Sequence, residues 1–136
     1  MPLNVLDITI PADGGRDAGK SFHLVEMAAE PLEKWAIRVL CAANAADPAL
    51  DLDINAGIPG LFGPVLKSLF KGDAYTLIAL LDDLMTCIKV KPDPARPLVT
   101  RPLLPGDIEE VATRVYLKRE AFQLCTGFLL PGSSSN

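Results

Sequence analysis

The apolar residues of this chain follow two different periods, and the switch between them restricts the fold more than any other feature. Leu3–Ile10 is rich in β-branched residues, and Lys20–Met27 alternates Phe22 and Leu24 against His23, Val25 and Met27, the period of half-buried strands. The Gly-rich Pro11–Gly19 lies between them, so the spacing predicts two strands joined by a long hairpin loop. From Pro31 onward the period becomes helical. Pro31 suits a first helical position, Glu30 and Glu33 suit its positive end, and Leu32, Trp35, Ala36, Val39, Leu40 and Ala43 share one face, which places Trp35 in the core. Asn44–Gly57 reads as a loop. Pro64 then opens a short helix with Val65, Leu66, Leu69 and Phe70 on one side, Lys67 and Lys71 facing water, and Gly72 as the stop. Asp73 is expected to cap a further helix whose Leu77, Ile78, Leu81, Leu84, Met85 and Ile88 keep the 3.6 period.

Prolines 92, 94, 97 and 102 confine any pairing of Ile88–Lys91 with Leu98–Arg101 to a short stretch at a sheet edge. Asp107 with Glu110 predicts a helix start, continued by Ile108, Val111, Ala112 and Val115. The stripe then changes phase to Leu117, Ala121, Leu124, Cys125 and Phe128, which predicts either a break near Tyr116 or a helix buried on two sides. Without an internal repeat or a second core, the expected class is α+β: a small N-terminal β-hairpin packed on a mainly helical body. It forms a single domain over residues 1–131, followed by a polar tail over 132–136.

Charge and hydropathy exclude several function classes. Thirteen Lys and Arg against 17 Asp and Glu leave a net charge of −4 with no basic stripe, which argues against nucleic acid as a partner. Hydrophobic residues make up 49% of the chain, yet no run approaches the ~18 consecutive apolar residues of a membrane span. Met1–Asn4 lead directly into the alternating segment without a basic or apolar leader, so the cytoplasm is the expected compartment. Cys41, Cys87 and Cys125 are odd in number and far apart, and the only imidazole, His23, has no Cys nearby. No disulfide or metal site is expected, and all three thiols read as small core residues.

Chemistry is sparse. The segment from Gly14 to Ser21 fits the phosphate-cradling pattern G-x-x-x-x-G-K-[ST] and follows a candidate strand. That cradle needs a helix starting at the lysine, whereas the residues after Lys20 alternate. Leu77–Asp83 resembles the metal-binding strand that accompanies such loops, but its Leu/Ala content and period make it helical. A Gly-rich hairpin loop with a solvated Lys20 is therefore the expectation. His23 has no positioned nucleophile, and Asp82/Asp83 and Glu109/Glu110 diverge as neighbours on helices. No catalytic, cofactor or metal residue is assigned. What remains is apolar surface in the Gly/Pro-punctuated Ile58–Val65 stretch and on a broad helical face, which makes Ile58, Leu61, Phe62, Leu77, Leu81 and Leu84 the candidate partner-binding residues.

Several blocks, in this order and spacing, resemble the tail assembly chaperones of long-tailed bacteriophages and prophages. They are Gly19–Met27, Ala28/Ala29, Glu33–Arg38, Pro92-Asp93-Pro94, Val99–Leu103 and Asp107–Arg114, within a span of roughly Asp7 to Phe128. The resemblance implies a non-enzymatic protein that binds the long helical tape-measure protein in the infected host cell and helps tail-tube subunits gather around it. Such a protein needs no cofactor and is left out of the mature virion. It also implies that the 132–136 tail could mark the end of a short form with a frameshifted longer counterpart. A helical client with an apolar stripe suits a helix-lined groove. The chain is a candidate to self-associate as well. The alternatives are a structural tail-completion or connector protein and a small P-loop nucleotide-binding phosphotransferase.

Overall fold

The computed structural model describes residues 3–50 and 64–127. Ile58, Leu61 and Phe62, and the tail over 132–136, lie outside them. The chain is α+β. Its residues divide into two compact units, one drawn from Met1–Met27 and Leu84–Leu124, the other from Ala28–Asp83 and Cys125–Asn136, where the sequence suggests a single domain.

In the first unit the expected hairpin forms from β1 (Val5–Thr9) and β2 (Ser21–Val25), paired from Val5↔Val25 to Thr9↔Ser21. It does not stay a hairpin. β3 (Ile88–Lys91) pairs antiparallel with β2, and β4 (Arg101–Pro102) joins β3, giving a four-stranded sheet in the order β1-β2-β3-β4. β4 is short and carries Pro102 at the edge, as the proline spacing requires. Registers align Ile8 with Phe22 and Val90, and Leu24 with Ile88, on the buried face. The opposite face is polar: Asp7 Oδ1 lies 2.7 Å from His23 Nδ1 and 2.8 Å from Lys91 Nζ.

A period of 3.6 running to Ile88 predicts one long helix there, and the structure corrects this. The helix stops at Asp83, Leu84–Cys87 tighten into a 3-10 turn, and Ile88 already belongs to β3 opposite Leu24. Ladder bonds to β2 outcompete continuation of the helix.

The last helix, α4 (Val111–Thr126), is continuous, with no break at Tyr116, and starts four residues after Asp107. Its buried positions are Thr113, Leu117, Ala121 and Cys125, spaced by four, with Thr126 buried beside the last, while Val111 and Val115 are exposed. Thr113 can hold a buried register because its hydroxyl bonds the Asp17 carboxylate. A polar residue in a core position is what made the stripe look out of phase.

In the second unit, α1 (Ala29–Ala46) buries Trp35, Val39 and Ala43, the centre of the predicted stripe, and leaves Ile37 and Leu40 exposed. Cys41 is exposed, against the expectation of a core thiol, whereas Cys87 and Cys125 are buried. A helical segment over 64–69, α2, buries Val65, Ser68 and Leu69. Phe70 is 76% exposed because the helix has already ended and the residue leaves the apolar register. Asp47 ties the end of α1 to α2, accepting from Ser68 Oγ and Lys71 Nζ at 3.1 Å each. Gly72 allows this turn to approach closely, since a Cβ there would lie 2.7 Å from that of Ala46. Asp73 caps α3 (Ala74–Asp83) as expected, its Oδ2 accepting from Thr76 N–H and Oγ1 at 3.0 Å.

Candidate functional site

Two places concentrate the chain's chemistry, one in each unit. The first is the Gly14–Ser21 loop. It enters a 3-10 turn at Gly15–Asp17 and delivers Lys20 to the start of a strand, not to a helix N-terminus. Its amides are consumed internally: Gly14 N–H bonds Pro11, Asp17 bonds Gly14, Ala18 bonds Gly15, Gly19 bonds Ile10 and Lys20 bonds Asp17, all through carbonyl oxygens. Gly15 takes φ +63°, and a Cβ on it would lie 2.9 Å from Glu110 Oε1. The loop is thus folded against the start of α4 instead of wrapping an anion.

Side chains complete that latch. Asp17 is fully buried, and its two oxygens accept the backbone N–H groups of Glu109 and Glu110 at 2.8 Å each, capping α4 from 92 and 93 residues away. Burial pushes the Asp17 carboxyl upward. The Glu109 amide, the Lys20 ammonium, the Thr113 hydroxyl and the Glu110 amide outweigh that and hold it well below the usual carboxylate range. Lys20 Nζ donates to Asp17 Oδ1 and the Asp107 carbonyl at 2.9 Å and to Glu109 Oε2 at 3.0 Å. Arg16 Nε donates to Glu110 Oε1 at 2.9 Å. Asp107 is not the cap of α4; Arg101 grips it through two 2.8 Å bonds, which with the Leu104 amide lowers its carboxyl to about 2.

Lys20 is therefore not the solvated side chain expected. Lys20→Ala should lower stability by about 1–3 kcal/mol, the range for hydrogen bonds to charged groups, measured by urea denaturation. Neither parent nor variant should bind Mg-ATP saturably in calorimetry.

Beside the latch, Ile10, Pro11, Gly14, Ala112, Thr113 and Tyr116 line a largely apolar cleft of about 520 Å³. Comparisons with family models, curated proteins and solved structures return no match. No group of His, Cys, Asp and Glu able to hold a metal occurs among the described residues, and no helix among them is long and apolar enough to cross a membrane.

The second place is a groove of about 590 Å³ along α1 and α3, lined by Arg38, Cys41, Ala42, Tyr75, Ala79 and Leu80, with Asp73 and Thr76 at one end. The two helices are held together by Trp35, whose Nε1 donates to the Leu80 carbonyl at 3.0 Å, and by the paired Arg38 and Asp83. Small side chains at Ala42 and Ala79 open it. Tyr75, 82% exposed, stands on its wall, and Ile78 on the same helix and Ile37 and Leu40 on α1 are exposed as well.

Of the sequence candidates, Leu77 and Leu81 are half-buried on α3, and Leu84 is 1% exposed and belongs to the core. Leu84 offers no surface to a partner, because the 3-10 turn rotates it inward. The large exposed apolar residues of α3 are Tyr75, which sequence reasoning did not single out, and Ile78, which it placed in the apolar stripe with Leu77 and Leu81. The signal was available: Asp73 fixes the helix start, and counting from it puts Tyr75 and Ile78 three apart on one side.

Proposed function

We propose that this chain is a non-enzymatic tail assembly chaperone of the bacteriophage type, working in the host cytoplasm and absent from the mature virion. Its client is the tape-measure protein, around which it helps tail-tube subunits assemble. The observation that carries the reading is the α1–α3 groove, where small residues form the trough and exposed Tyr75 stands at its wall. A client helix with an apolar stripe can lay that stripe into such a trough, with an aromatic side chain as anchor. The resemblance of its ordered sequence blocks to tail assembly chaperones points the same way. The Gly14–Ser21 latch supports it indirectly, since its lysine is committed to Asp17, Asp107 and Glu109 and its amides largely to carbonyls within the hairpin.

The test is co-expression with a tape-measure protein encoded beside this chain's gene, followed by co-purification. Tyr75→Ser with Ile78→Ser should keep the parent's helical circular dichroism and melting temperature while weakening capture by roughly 2–4 kcal/mol, as for loss of an interface anchor. Undiminished capture by that folded variant moves the client off this groove. No capture by the parent itself ends the chaperone reading.

A further inference from the structure

We propose that β1 is a self-association edge, pairing antiparallel with β1 of a second copy of this chain across a two-fold axis at Leu6. The outward backbone of β1 follows from its bonds to β2. Ile10 N–H bonds the Lys20 carbonyl at 2.9 Å and the Asn4 carbonyl accepts from Glu26 N–H at 3.0 Å, in the register that pairs Leu6 with Leu24. The even residues are therefore the bonded ones, and the N–H and C=O groups of Val5, Asp7 and Thr9 point away from β2. β1 is the end strand of its sheet, so no strand among the described residues meets those groups.

Edge strands of soluble proteins are usually protected by lysine, proline, a bulge or brevity. β4, at the other edge, is two residues long and contains Pro102. Val5–Thr9 holds no lysine or proline and pairs with β2 without a bulge, and its single charge, Asp7, lies against His23 and Lys91 on the polar face. Leu3 and Val5 are 43% and 55% exposed, and Leu6 on the buried face of the sheet is only half-covered.

Register selects a second copy as the occupant. Odd residues must face odd residues for the free groups to bond. Centring the pair on Asp7 would oppose two carboxylates and carry the next outward position to Pro11, which has no N–H. Centring it on Leu6 sets Val5 opposite Asp7 and Leu3 opposite Thr9, twice each by symmetry, for about eight backbone bonds. It also lays Leu6 against its own copy, so that the buried faces of the two sheets continue into one another and cover the residues now left open.

Light scattering across a concentration series should show the parent doubling its mass. Val5→Pro, which removes an outward donor and spares every bond to β2, should remain monomeric with an unchanged circular dichroism spectrum. In a Cys41→Ser background, Leu6→Cys should form a disulfide-linked dimer under a mild oxidant. Thr9→Cys should not, because in this register it lies ~20 Å from its copy. The proposal fails if the parent is monomeric throughout, if a folded Val5→Pro still dimerises, or if Thr9→Cys cross-links as readily as Leu6→Cys. Should Val5→Pro not fold, the two cysteine variants decide the matter.

Discussion

Asp17→Ala is expected to destabilise the first unit by roughly 3–5 kcal/mol, the cost of removing one partner from a buried, hydrogen-bonded ion pair. The carboxylate satisfies two amides at the start of α4, the Lys20 ammonium and the Thr113 hydroxyl. Without it the two amides and the Thr113 hydroxyl lose their acceptor where Asp17 is fully buried, while the half-buried Lys20 keeps access to water. Asp17→Asn should recover part of the loss, because an amide oxygen can still accept from one backbone N–H. Urea denaturation followed by far-ultraviolet circular dichroism gives both values. An Asp17→Ala midpoint equal to the parent's would show that the latch contributes nothing to folding.

The same carboxylates set the response to acid. Asp17 and Asp107 are both held below the ordinary value in the folded chain, Asp107 at about 2. A carboxyl with a depressed folded pKa binds its proton more readily in the unfolded chain, so acidification favours unfolding. The stabilisation is complete above the unfolded value of about 4 and is lost as pH falls through the folded value. Urea midpoints should therefore drop between pH 4 and pH 2, and Asp107→Asn should flatten the Asp107 part of that drop. Midpoints that stay level over this range would contradict the geometry of both groups.

Trp35→Ala carries the other large effect, roughly 3–5 kcal/mol as for aromatic truncations in a packed core. Trp35 is buried on α1, and its indole N–H reaches the Leu80 carbonyl in the last turn of α3, where carbonyls run out of helical donors. Trp35→Phe separates the two roles. It keeps most of the ring volume and should cost about 1 kcal/mol or a little more through the lost hydrogen bond and trimmed contacts. Thermal melts of the two variants give the ratio. If Trp35→Ala melts with the parent and loses only client capture, the ring acts at the groove and not beneath it.

The sequence by itself determined whatever depends on neighbours within about one turn of helix or one hairpin. The alternation of Phe22 and Leu24 announces β2, the Trp35–Val39–Ala43 stripe announces α1, and Asp73 with Thr76 marks the start of α3. Tertiary structure decided the rest, because the energies concerned join residues distant in the chain. Ile88 carries a helical period locally, but opposite Leu24 it gains a ladder partner and becomes strand. The stripe of α4 changes phase near Tyr116 on paper, and only the bond from Thr113 to Asp17 shows that a polar residue holds the buried register before it. Lys20 sits in a motif whose spacing matches a phosphate cradle, and its function is set by Asp107 and Glu109, 87 and 89 residues away. Spacing reports which residues can share a face, whereas the partner of a charge is chosen by the fold that brings the opposite charge within 3 Å.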